Sequence, residues 1–117
     1  MYKKSERTIE RYIEAGAWAR LFELVGHRMI DAMSPVILVK EIDRMIDMMR
    51  KFGAIKAGAD SQLFRDYPEI SNDALHLFYG DLSQGFGPCG DFDRQVIERA
   101  KEIASGLLAR YEKNDDG

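Results

Sequence analysis

The chain has 117 residues, of which 45% are hydrophobic and 32% are charged, and its formal net charge is -3. This composition excludes a disordered chain, and the length suits one domain built around one core. No apolar run approaches the roughly 18 residues that cross a bilayer, and acidic residues appear immediately where a signal peptide needs an apolar stretch. With a single cysteine and therefore no internal disulfide, the sequence predicts a cytoplasmic protein that does not enter a membrane.

The first long helix is predicted from about Ser5 to Met33. Its two halves carry polar faces that differ by roughly 90° or more on a helical wheel of about 100° per residue. Gly16 lies between these halves. We expect either a break at this glycine or a continuous helix that buries different sides in different neighbours, with its first half in a second subunit.

The second helix is predicted to begin with Ser34 as the N-cap and Pro35 in the first turn, a combination that helix starts favour. Apolar residues then recur at helical spacing over residues 38–52, opposite a charged face. A glycine, either Gly53 or Gly58, is expected to end this helix. Its methionines indicate core packing, although Met48 lies off the apolar stripe and is a candidate partner contact.

The last helix is predicted to begin with Asp91 as its cap, and its broad apolar stripe is typical of a bundle. Ahead of it, Ser71 is expected to cap a short helix that ends at Gly80. Residues 80–90 contain four glycines and a proline, which predicts a loop.

The predicted fold is therefore all-α. It is a small helical bundle of three long helices, with one or two short helices and a glycine-rich loop before the last helix. Residues 1–113 form the single predicted domain, and residues 114–117 form a polar tail that is expected to fray.

Familiar site motifs fail at specific residues. The glycine-rich loop leads into a helix start, where phosphates bind, but Asp91 and Asp93 occupy this start and repel an anion. A calcium loop beginning at Asp81 would need glutamate at its twelfth position, where the chain has Phe92. The same two carboxylates disfavour a reactive thiolate at Cys89. The sequence thus predicts no catalytic residue, no resident metal and no cofactor, and a protein that is not an enzyme.

Direct nucleic-acid binding is also disfavoured. The first helix carries several arginines and lysines, but glutamates alternate with them and favour pairing within the helix. The sequence pI of about 5.4 argues in the same direction.

The most unusual segment runs from Asp66 to Asp93, where six carboxylates and five aromatic residues occur without any lysine or arginine. Aromatic anchors within an acidic rim are typical of a surface that binds a basic protein partner. The predicted interaction residues are Asp66, Glu69, Asp73, Phe78, Tyr79, Asp81 and Phe86. The competing interpretation places the aromatic residues in the core and the acidic residues in water.

We therefore expect a non-enzymatic interaction or regulatory protein, of which an inhibitor encoded by a mobile element and acting on a nucleic-acid-handling protein is one example. The alternative is a homo-oligomeric bundle that binds a small ligand or metal between subunits. His27 and Asp31, one helical turn apart, would serve that alternative together with Cys89, and His76 is the only other histidine. The rotated faces of the first helix favour a homodimer in either case.

Overall fold

The computed structural model describes residues 1–80 and 90–116, with side chains described as far as residue 109. Its fold is an all-α bundle of three long helices, which confirms the predicted class. The helices are α1 (Ile9–Met33), α2 (Val39–Asp66) and α3 (Asp91–Asp116). Short 3-10 turns cover Lys4–Glu6, Ser34–Val36 and Asn72–His76. The predicted glycine-rich loop falls on residues 81–89, outside the described residues.

Helix α1 is continuous, so of the two predicted alternatives the break at Gly16 is wrong and the continuous helix is the one observed. Thr8 caps its start by accepting a hydrogen bond from the backbone N–H of Arg11 at 3.2 Å. A Cβ atom at Gly16 would lie 2.4 Å from the backbone oxygen of Leu77. The glycine therefore allows a close approach of the 72–77 segment to α1, and the first half of the helix is buried within its own chain.

Both ends of α2 differ from the prediction. Ser34 lies in a 3-10 turn, and the helix begins after Leu38. At the other end, α2 passes through Gly53 and Gly58, because one glycine inside a helix costs only about 1 kcal/mol relative to alanine. Burial of Leu63 in the core stabilises the following turns.

The segment between α2 and α3 contains less helix than predicted. The turn Asn72–His76 follows Ser71, as expected, but it ends before Gly80. Helix α3 begins at Asp91, and it continues to Asp116, beyond the residue where the tail was expected to fray.

Helix α1 lies between the other two long helices and contacts both. The core occupies one end of the molecule, which we call the packed end. It is built by the first half of α1, the last turns of α2, the 72–78 segment and the first half of α3.

The opposite end is a helical hairpin of residues 21–55, which we call the hairpin arm. Within it only Gly26 is buried. The radius of gyration is 16.3 Å, against about 13 Å for a compact domain of this length. The arm therefore extends away from the core. None of the helices in the described residues is both long and apolar enough to cross a membrane.

Candidate protein-interaction site

The main candidate site is an apolar groove between α1 and α2, with a volume of about 460 Å³. Ala15, Trp18 and Phe22 line it from α1, and Phe52, Ile55 and Ala59 line it from α2. Three of these side chains stay largely open to solvent, with Trp18 45%, Phe22 47% and Ile55 69% exposed. We call this site, with the apolar stripes that continue from it, the α1–α2 groove.

The stripes follow from sequence spacing. On α1, Trp18, Phe22, Val25 and Met29 are separated by four, three and four residues, so they fall within an arc of about 60° on a helical wheel. Met48, Phe52, Ile55 and Ala59 repeat the same spacing on α2. Two antiparallel helices therefore carry neighbouring apolar stripes, of which Phe52 and Ala59 also pack against the core.

Aromatic contacts hold the groove in shape. The rings of Phe22 and Phe52 meet across the two helices, with centroids 4.7 Å apart and planes at 60°. The indole N–H of Trp18 donates to Glu14 at 3.1 Å, and Arg99 of α3 binds the same carboxylate at 2.6 Å. The guanidinium of Arg99 lowers the pKa of Glu14, which keeps this carboxylate charged. Trp18 is thus positioned before any partner arrives.

The charged residue in the groove lining is neutralised within the chain. Lys56 is only 7% exposed, and its ammonium lies 2.5 Å from a carboxylate oxygen of Glu23. The same ammonium sits 4.4 Å from the ring centroid of Tyr79. Burial raises the pKa of Asp60, and the charge of Lys56 opposes that shift. The groove therefore presents an apolar surface without an uncompensated lysine.

The residues that the sequence assigned to an acidic aromatic surface do not form one continuous surface. Asp66 is buried, and its carboxylate accepts two hydrogen bonds from Arg7, at 2.7 and 2.8 Å. The hydroxyl of Tyr12 donates to it at 2.5 Å, and the amide of Gln62 at 2.9 Å. Arg7 holds the pKa of Asp66 well below its ordinary value, and burial raises the pKa of Tyr12 to about 12. Asp66 therefore links the N-terminal segment to α2 through its hydrogen bonds with Arg7.

The other assigned residues have separate environments. Phe78 is buried in the core, 2% exposed, and meets Tyr12 edge to face, whereas Tyr79 is 39% exposed beside Lys56. Asp73 accepts a hydrogen bond from the backbone N–H at the start of α3. Glu69 is exposed. The two remaining residues, Asp81 and Phe86, lie outside the described residues.

Two arginines from the N-terminal part of the chain, Arg7 before α1 and Arg20 within it, pair with carboxylates of the segment from Asp66 to Asp93. Arg20 is buried, and it donates to Asp93 at 2.7 Å and to the backbone oxygen of His76 at 3.0 Å. With Arg7 on Asp66, two of the six carboxylates of this segment are paired with arginines that precede them by 59 and 73 residues. These carboxylates are part of the packed end and are not free to meet a partner.

The residues of the alternative site are only partly brought together. His27 and Asp31 line a cavity of about 490 Å³ on the opposite side of the hairpin arm, together with Glu23. Among the described residues, no three histidine, cysteine, aspartate or glutamate side chains form a group that could hold a metal ion. Cys89 lies outside the described residues, and the half-buried His76 lies in the packed end.

Compared with protein-family models, with curated proteins and with solved structures, the chain has no significant match. Its function is therefore inferred from the geometry alone. Sequence reasoning missed the α1–α2 groove, although the spacing of Trp18, Phe22, Val25 and Met29 was a visible signal. The sequence did single out Met48, because it lies off the apolar stripe predicted over residues 38–52. In the structure Met48 is 60% exposed and belongs to the second stripe of α2, with Phe52, Ile55 and Ala59.

Proposed function

We propose that this chain is a non-enzymatic helical protein-interaction module that binds its partner through the α1–α2 groove. The observation that carries the proposal is the row of half-exposed aromatic and aliphatic side chains along both helices. Aromatic anchors in an apolar pocket are the residues that dominate binding energy in protein interfaces. Trp18, held in place by Glu14, would be the principal anchor.

The size of the exposed stripe supports this proposal. Taking roughly 150–250 Å² for a large side chain, the exposed fractions of the six large groove residues that are exposed amount to about 600 Å². These residues are Trp18, Phe22, Val25, Met29, Met48 and Ile55. The largest apolar patch on a typical monomer is about 300–600 Å², and patches of this size are often functional.

The stability of the hairpin arm gives a second reason. Helices that lack a buried apolar face are marginal in water, because most helical stability in proteins comes from packing. The arm buries only Gly26 among its residues 21–55. A partner that covers the groove would add packing to the arm and so stabilise it.

The proposed function is still that of a non-enzymatic interaction protein. The proposed binding surface is the α1–α2 groove, where the sequence predicted an acidic aromatic surface. Asp66 is buried, so it cannot contact a partner in this fold. Phe78 is only 2% exposed, but it lies in the lining of the groove. A basic partner at Glu69, Asp73 and Tyr79 stays a prediction, as do the mobile-element role and the cytoplasmic location.

Photo-crosslinking in cells that express the protein natively tests the groove. A photoreactive phenylalanine analogue replaces Ile55 in one variant and Leu108 of α3 in the other. These positions are matched, at 69% and 70% exposure. We expect a discrete covalent adduct from position 55 and little from position 108. Absence of an adduct at position 55, or equal yields at both positions, would contradict an interaction through the groove.

A small ligand held between subunits near His27 and Asp31 is the second candidate. The cavity that these residues line with Glu23 favours it. Native mass spectrometry of the purified protein tests this candidate, because a retained ligand adds a fixed mass to the chain. Replacement of His27 by alanine should then abolish the added mass, and its persistence would exclude this cavity.

A further inference from the structure

We infer that the partner in the α1–α2 groove is a second copy of this chain, so that two hairpin arms form a four-helix bundle. This inference rests on the proposed function and names its partner. The two helices of each arm supply the four helices of the bundle. A twofold axis brings the same patch of both copies together, as an isologous dimer requires.

The spacing of the stripes fits this assembly. Apolar residues separated alternately by three and four positions are the pattern that packs helices side by side in coiled coils and four-helix bundles. Both α1 and α2 carry this pattern on neighbouring faces of the arm, at Trp18, Phe22, Val25 and Met29 and at Met48, Phe52, Ile55 and Ala59. A single arm has two of the four helices, and a second arm completes the set.

The exposed area also agrees with a dimer. A stable interface of standard size buries about 800 Å² on each partner. The six large groove side chains that are exposed leave about 600 Å² open when each is taken as roughly 150–250 Å². Backbone and polar atoms at the rim add to this value. The groove is therefore close to the size that one half of a homodimer needs.

Charge does not oppose the contact of two identical faces. Beside the groove, Arg44 is paired with Glu41 at 3.0 Å and Lys51 with Asp47 at 3.1 Å. Lys56 in the groove lining is paired with Glu23. Each of these three bases therefore has a carboxylate partner within its own chain, which reduces the charge repulsion that a second copy meets on α2.

Sedimentation equilibrium of the purified full chain, from about 1 to about 200 micromolar, measures this association. We expect a mass of twice 13.4 kDa at the upper concentrations. Ile55→Glu should weaken dimerisation by about 100-fold or more, because it buries a carboxylate without a partner. Leu108→Glu, equally exposed on α3, should leave the dimer intact. Far-UV circular dichroism establishes that both variants keep their helices.

Trp18 is the only tryptophan of the chain, so its fluorescence reports the groove directly. In the wild type its emission should shift to longer wavelength on dilution, with the same midpoint as dissociation. In Ile55→Glu the emission should be red-shifted at every concentration.

A wild-type chain that stays monomeric at about 200 micromolar, where a dimer of micromolar Kd is formed, with emission independent of concentration, would overturn the dimer. Dissociation of Leu108→Glu to the same extent as Ile55→Glu would also overturn it. A monomer whose position 55 crosslinks to a different protein would leave the proposed function standing and reject the second copy. A monomer without any crosslink would reject both.

Discussion

The packed end and the hairpin arm share helices α1 and α2, and these helices are buried in the packed end but exposed in the arm. In the packed end, Leu63, Leu77 and Val96 are fully buried, and arginine–aspartate pairs are buried beside them. In the arm, ion pairs such as Arg44 with Glu41 are exposed pairs within one helix, and exposed pairs contribute little stability. The pair of Glu23 with Lys56 joins the two helices where the arm meets the packed end. One half of a helix can thus pack in the core while its other half is exposed for contact with a partner.

The largest effect expected from this difference concerns adjacent residues of the packed end. Phe78→Ala should lower the free energy of unfolding by about 3–5 kcal/mol, because it leaves a cavity in the core. Tyr79→Ala, at a position 39% exposed, should cost about 1 kcal/mol or less. Urea denaturation of both variants at equal protein concentration measures the two values. A loss of about 1 kcal/mol or less for Phe78→Ala would mean that this side chain is not part of the core.

A smaller, pH-dependent effect is expected at Asp66. Because Arg7 lowers its pKa in the folded state, its contribution to stability is present above the ordinary aspartate pKa of about 3.9. This contribution is lost as the pH falls below that value, since the unfolded state then takes up the proton first. Asp66→Asn should lower the Tm at pH 7 by roughly 10 °C, and the difference should shrink towards pH 2.

Asp43→Asn, on the exposed face of α2, is the control for this titration. Its Tm should follow the wild type within about 2 °C at each pH. If the deficit of Asp66→Asn stayed constant from pH 7 to pH 2, ionisation of this carboxylate would not be the source of its stabilising effect. The N-terminal segment would then stabilise the packed end less than its contacts with Asp66 indicate.

Asp66 also shows what the sequence could and could not reveal. The helices were predictable because their apolar spacing is local, and the all-α class follows from it. The role of Asp66 was not predictable, because its partner Arg7 lies 59 residues earlier in the chain. A count of nearby charges indicated an unbalanced acidic segment. Folding balances part of it with Arg7, from the segment before α1, and Arg20 of α1, and these long-range contacts have no local signal.

The candidate site was predictable to a similar, limited extent. The spacing of Trp18, Phe22, Val25 and Met29 is visible in the sequence and indicates an apolar stripe. Whether such a stripe is covered depends on the tertiary arrangement of the other helices. In this chain α3 packs on the other side of α1, so the stripe stays open. Sequence patterns identify apolar faces, and only the packing shows which face has no neighbour.

A moderate effect is expected at Gly16, where α1 meets the 72–77 segment. A Cβ atom there would lie 2.4 Å from the backbone oxygen of Leu77 and 2.7 Å from its Cδ2. The backbone oxygen cannot move without displacing the segment, so Gly16→Ala should cost about 1–3 kcal/mol in spite of its better helix propensity. Chemical denaturation measures the change. An increase in stability would mean that the packed end yields at this contact, and that its difference from the arm is smaller than the burial pattern indicates.

The smallest effect has the opposite sign and belongs to the hairpin arm. A Cβ atom at Gly53 of α2 would meet no heavy atom within 4 Å, so Gly53→Ala should gain up to about 1 kcal/mol from helix propensity alone. Gly53 faces away from the α1–α2 groove, at roughly 160° from Ile55 on a helical wheel, so self-association should be unchanged. The measurements are urea denaturation and sedimentation equilibrium. A loss of stability comparable to that of Gly16→Ala would show that this side of the arm is also covered, and would place a second contact opposite the groove.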